Sequence, residues 1–183
     1  MDFCATDING CMIVSPQRLE DERGFFTRVW CSQEFREAGL PEQMVQSSLS
    51  FNRKAGTLRG MHLQIPPSEE GKLVRCIRGA IVDVVIDLRA PLDSVTKTIS
   101  VRLDDDNRTA IYVPPGCAHG FQTLVDNTEV LYMMTDSYQP DLSRGFRWND
   151  PAFNINWPID NPIIHARDAG YPDFDGSAYG TNG

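Results

Sequence analysis

The chain has 183 residues, 41% hydrophobic and 23% charged, with a formal net charge of −8. That length suits one domain with a substantial core, and the composition is ordinary for a globular protein. The acidic balance argues against a surface built to grip a nucleic-acid backbone, so an anionic ligand must be held by a local cluster of Arg and Lys. No apolar run is long enough to span a bilayer, and no membrane partner is expected. Met1-Asp2-Phe3-Cys4-Ala5-Thr6-Asp7 lacks the basic segment and apolar run of a signal peptide. The five cysteines form no CxxC pair. This speaks against a disulfide framework or structural zinc and fits a reducing cytoplasm.

In chain order, the first element is a short helix over residues 33–38. Ser32 is its expected cap, Glu34 lies in its first turn and Gly39 stops it. Runs rich in Val, Ile and Thr follow at 73–77, 80–88, 99–103, 110–113 and 130–135. Turn clusters such as Arg78-Gly79 and Asp104-Asp105-Asp106-Asn107 separate them. Short strands at this spacing predict a mainly β sandwich or barrel rather than a parallel α/β sheet. A weaker element is expected after Trp148. Residues 1–172 read as a single domain, and 173–183, without a periodic apolar face, as a frayed tail.

The chemistry gathers around two of the three histidines. Arg59-Gly60-Met61-His62-Leu63-Gln64, with Lys72 downstream, places an imidazole between two cations in strand-like sequence. Pro114-Pro115-Gly116-Cys117-Ala118-His119 uses a turn to deliver a histidine to the head of an apolar strand. It matches the second histidine motif, P-x-G-x-x-H, of the cupin barrels. In metal-binding cupins the first motif carries H-x-H and a glutamate, whereas here the stretch is His62-Leu63-Gln64. Glu69 and Glu70 follow Pro66-Pro67 and read as an exposed loop. Two histidines without firm further ligands make a poor divalent-metal site, so no metal is expected.

Acid–base chemistry fits the residues better. Imidazole, with an ordinary pKa of about 6.5, shuttles protons near neutrality without help. His62 needs an orienting carboxylate, for which Asp83, Asp87 and Asp168 qualify by type. Lys72 is suited to clamp a developing oxyanion. Tyr132, mid-strand, carries a phenol, although its residue pattern alone favours core packing. Asp83 and Asp87, four apart on one strand, share a face that is either a polar patch inside a barrel or a solvent-facing row. His165 reads as a hydrogen-bonded core or surface residue. In Asp21-Glu22-Arg23-Gly24-Phe25-Phe26, the aromatics are either core or a stacking surface beside a phosphate-binding Arg23.

Taken together, Asp21 to Phe26, Gly56 to Gln64, Lys72 to Arg75, Gly79 to Arg89, Val113 to Phe121, Trp148 to Pro151, Ile155 to Pro158 and Arg167 to Ala169 resemble the dTDP-4-dehydrorhamnose 3,5-epimerase family. The resemblance covers nearly the whole chain. It implies a cupin-like double-stranded β-helix, or jelly roll, with a few short helices. It implies a cofactor-independent isomerase acting on a nucleotide-linked 4-keto-6-deoxyhexose, with dTDP favoured and CDP or another nucleotide open. By the same resemblance His62 is the base with Asp168 its partner, Tyr132 the acid on the opposite face, and Lys72 the support for the enolate oxygen. Arg59 and His119 line the pocket, Gln46 and Ser48 join the substrate-binding set, and Arg23 reaches the diphosphate. The segment around Arg23 and Phe26 serves a neighbouring subunit's site, which implies a homodimer. The family carries a carboxylate at Arg28 and an asparagine at Ser48; both departures bear on the nucleotide rather than the reacting sugar. The rival readings are a single-carbon epimerase, a metal-dependent cupin such as a dioxygenase or sugar isomerase, and a non-catalytic sugar-binding protein.

Overall fold

The computed structural model describes residues 1–89, 97–177 and 179. Two antiparallel sheets face each other. The first runs in the order β1 (Asp2–Ala5), β2 (Met12–Ser15), β10 (Ala110–Val113), β7 (Lys72–Arg78), β12 (Thr128–Met134) and β5 (Gln46–Asn52). The second runs β13 (Ser143–Gly145), β6 (Thr57–Gln64), β11 (Cys117–Thr123), β8 (Ala80–Asp87) and β9 (Thr98–Asp104), and β14 (Ile163–Ile164) adds to β6 in parallel. The remaining pair, β3 (Arg18–Asp21) with β4 (Gly24–Thr27), forms a separate hairpin. This is the mainly β, jelly-roll architecture expected from the sequence, and the five expected strand runs coincide with β7, β8, β9, β10 and β12.

Strand β8 explains why its sequence is apolar on both faces. Ile81 and Val85 point into the space between the sheets, with Val74, Ile111 and Val130 of the first sheet. Val84 and Ile86 point the other way, under Phe146 and Phe153 of the C-terminal segment. Each such fully buried aliphatic contributes about 1.5–3 kcal/mol. Asp83 and Asp87 share the inner face and are buried, so they form a polar patch within the sandwich rather than a solvent row. Asp87 is neutralised by Arg89, whose Nε donates to it at 2.8 Å.

Two local expectations are corrected. Helix α1 spans Ser32–Glu37, so Ser32 lies inside its first turn. Cys31 is the N-cap and makes no side-chain capping bond. Packing sets this start: Phe35 is buried against the outer face of the first sheet with Val14 and Ala110. The segment read as a frayed tail is docked where it is described. Phe174 N donates to Asp150 Oδ2 at 2.5 Å, Tyr179 N donates to Leu88 O at 2.8 Å, and both rings pack on Phe146. Residues 178 and 180–183 lie outside the described set. After Trp148 the chain forms turns, with the four-residue helix α2 (Ala166–Ala169) further on.

Candidate active site

A cavity of about 740 Å³ is lined by β5, β6, β7, β11 and β12, together with the β14–α2 segment. An irregularity in β6 sets its chemistry. Arg59 and His62 are three apart, so regular alternation would send them to opposite faces. The ladder pairs His62 with His119 and Arg59 with Phe121, so three steps on β6 face two on β11. The extra residue forms a bulge that brings both side chains to the cavity, while Met61 and Leu63 enter the core on the other side. The bulge sits at Gly60, with φ of 139°, where a Cβ would lie 2.6 Å from Gly120 Cα. Only bare backbone passes that closely.

Two His–carboxylate pairs result. His62 Nε2 lies 3.0 Å from Asp168 Oδ1, an ion-pair separation with the ring N–H off the hydrogen-bond line. Asp168 is only 3% exposed, and its carboxylate is also contacted by Arg167 Nε at 3.1 Å and Gly60 N at 3.4 Å. Burial alone would raise the Asp168 carboxyl, but His62, Arg167 and the Gly60 N–H outweigh it and hold it below the ordinary value. Helix α2 presents this side chain, and His165 Nδ1 caps the helix by accepting from Arg167 N at 3.1 Å.

The second pair is His119 Nε2 with Asp83 Oδ2 at 2.8 Å. Asp83 is buried, and burial pushes its carboxyl upward against the opposing pull of His119 and Lys72. Its Oδ1 has no hydrogen-bond partner among the described residues. The His119 ring meets Tyr132 edge-on at 6.3 Å. Burial, then the charge of Asp83, raises the Tyr132 phenol, with Arg59 and Ser50 pulling weakly the other way. Tyr132 therefore faces the cavity as a neutral O–H donor.

The structure brings His62, Asp168, Tyr132, Lys72, Arg59, His119 and Ser48 to one cavity. Gln46 lies beside it, its Nε2 3.4 Å from Ser48 Oγ, and accepts from Tyr138 N. Three further residues of the sequence-derived set stand away from the cavity. Arg23 pairs with Asp21 on the exposed hairpin, Phe26 is 73% exposed, and Arg28 is held by Glu34 at 2.8 Å on the surface. His165 is an exposed residue that also lines the cavity.

Glu70 is the residue that sequence reasoning placed wrongly. It is no exposed loop residue: its side chain is buried, lines the cavity and lies 3.0 Å from Lys72 Nζ. Its loop is folded inward by distant partners, with Ser68 Oγ donating to Asp136 and Gly71 N to Thr135 Oγ1. Asn52 was also missed. Buried itself, it accepts from Arg59 Nε at 2.9 Å and fixes that guanidinium. Gln64, the position of the second cupin histidine, instead donates to Ser68 Oγ and Ser137 O. Among the described residues, no group of three or more His, Cys, Asp or Glu side chains is placed to hold a metal ion.

The chain is similar to known proteins over nearly its whole length. The sequence profile of the dTDP-4-dehydrorhamnose 3,5-epimerase family matches residues 5–176. A dTDP-4-dehydrorhamnose 3,5-epimerase of Methanothermobacter thermautotrophicus is 40% identical over 169 residues, covering 91% of this chain and 90% of that protein. A dTDP-4-dehydrorhamnose 3-epimerase of Streptomyces niveus is 35% identical over 162 residues, covering 88% of this chain and 78% of its own. The crystal structure of the Bacillus anthracis 3,5-epimerase, with TDP and PPi bound, superposes with a TM-score of 0.91 at 34% identity. That match covers 94% of this chain and 99% of the other. With both fold and nearly the full length of sequence matched, this chain belongs to the dTDP-4-dehydrorhamnose 3,5-epimerase family.

Proposed function

We propose that the protein inverts C3 and C5 of dTDP-4-dehydro-6-deoxy-D-glucose, giving dTDP-4-dehydro-L-rhamnose, by acid–base chemistry without a metal or organic cofactor. The observation that carries this is the His62–Asp168 pair sharing one cavity with the neutral phenol of Tyr132. The C4 carbonyl acidifies the protons on both neighbouring carbons. His62 takes one of them. With Nε2 turned to Asp168, Nδ1 is the ring atom left to receive it. Asp168 stabilises the imidazolium that forms. Lys72, with Arg59 and His119 nearby, supports the enolate oxygen. Tyr132 then delivers a proton to the other face of the carbon, completing inversion.

A homodimer fits the exposed apolar surface. Leu19 and Phe26 are cross-strand partners on the hairpin, 69% and 73% exposed, and Leu49 and Phe51 are exposed on the edge strand β5. In the dimer reading, the hairpin of one copy carries Arg23 and Phe26 to the cavity of the other. No helix among the described residues is long and apolar enough to cross a membrane. All five cysteines are free, which supports a cytoplasmic setting.

A second reading, inversion at C3 alone, is favoured by the similarity to the Streptomyces niveus 3-epimerase. The test is product identification by proton NMR after incubating the purified protein with the dTDP-4-keto sugar under exhaustive chelation. Conversion at both carbons supports the proposal. Inversion at C3 alone selects the second reading. Turnover that disappears on chelation and returns with a divalent metal overturns the cofactor-free mechanism.

A further inference from the structure

We propose that Tyr171 is a positioning residue for the proton-abstracting base: its ring walls the outer side of the His62 imidazole and holds it against Asp168. This rests on the reading above, in which His62 removes the substrate proton. The Tyr171 ring meets the His62 ring edge-on, with centroids 5.8 Å apart and planes at 78°. The contact is built into the sheet. In the β13–β6 ladder the residue opposite His62 is Gly145, and the Tyr171 ring occupies the space where a side chain at 145 would begin. The backbone of Gly145 needs no special φ, so its bareness serves the ring rather than a turn. Arg147 N donates to Pro172 O at 3.2 Å and Asp150 Oδ2 receives Phe174 N, which pins the chain just beyond Tyr171.

The need for such a wall follows from the dyad. The His62–Asp168 contact is made at 3.0 Å through a single ring nitrogen, so the imidazole can still swing about that point unless packing restrains it. An edge-to-face aromatic contact restrains the ring and keeps water from that side. Tyr171 does not line the cavity. Its contact is with the His62 ring, so its role is assigned through His62 rather than through the substrate.

The test uses the full-length protein. Tyr171→Ala is expected to lower kcat by roughly 10–100-fold while KM stays within about twofold, because a displaced base costs rate rather than binding. Tyr171→Phe keeps the ring and should restore kcat to within about threefold. Gly145→Ala, which drives the ring from its seat, should reproduce the loss. The His62 ring-proton resonance gives a readout independent of turnover. It should shift in Tyr171→Ala and Gly145→Ala and stay in place in Tyr171→Phe. Unchanged kcat in Tyr171→Ala, or a Tyr171→Phe variant as impaired as the alanine, overturns the assignment. A wild-type protein that never turns over the keto sugar overturns the epimerase reading instead, and the resonance shift tells the two failures apart.

Discussion

At the level of single residues, the proposed mechanism divides the chemistry between two side chains that can be tested separately. His62→Ala should reduce epimerisation by ~10²–10⁴-fold, the usual cost of losing a general base. Steady-state assay of the dTDP-4-keto sugar measures this directly, and a near-normal rate would remove His62 from the mechanism. Tyr132→Phe should behave differently: His62 can still remove a proton and return it from its own face, so solvent exchange survives while inversion stalls. Asp168 adds a pH signature. Its folded-state carboxyl is held below the ordinary value, so its stabilising contribution is complete above about pH 4 and is lost as pH falls through the folded value. The gap in unfolding free energy between wild type and Asp168→Asn should therefore hold steady above about pH 4 and narrow below it, as read by urea melts. His62, His119, Arg59 and Lys72 were legible because rare, reactive side chains stood in short strand-like runs. Glu70 was not, because the bonds that turn its loop inward come from residues more than sixty positions away, such as Thr135 and Asp136.

Secondary-structure elements decide which of those side chains meet. Without the bulge at Gly60, Arg59 and His62 would face opposite ways, and no residue pattern in β6 announces that phase change. The close passage of β6 and β11 gives it away only in three dimensions. A Cβ on Gly120 would lie 2.9 Å from Arg59 O and 2.6 Å from Met61 Sδ. Gly120→Ala should therefore cost about 1–3 kcal/mol of stability through overpacking, and should lower activity by shifting His62. A melting temperature equal to wild type would show that the two strands have slack there. The strand runs themselves were legible from their branched apolar residues, since the two covered faces of β8 leave few polar positions. The start of α1 was not, because the burial of Phe35 rather than a capping side chain fixes it. The docking of Phe174 and Tyr179 was hidden too, since neither sits in a periodic pattern and their seats are on Phe146 and Phe153.

For the molecule as a whole, an acidic chain of net charge −8 must hold a diphosphate-linked sugar, so its cations have to be concentrated where the ligand lies. Arg59, Lys72 and Arg167 line the cavity, whereas Arg23 stands on the exposed hairpin. In the proposed dimer, where the partner's hairpin brings Arg23 to the cavity, nucleotide binding is expected to be complete only on association. Replacing both Leu19 and Phe26 with serine should yield a monomer by light scattering and raise KM for the nucleotide sugar; a fully active monomer would contradict the shared site. The proton chemistry itself is tested most directly in heavy water. Wild-type protein with dTDP-4-dehydro-6-deoxy-D-glucose should place deuterium at both C3 and C5, and His62→Ala should place it at neither on the same timescale. Inverted product carrying no solvent deuterium, or labelling that persists undiminished without His62, would contradict epimerisation through enolates formed by this base.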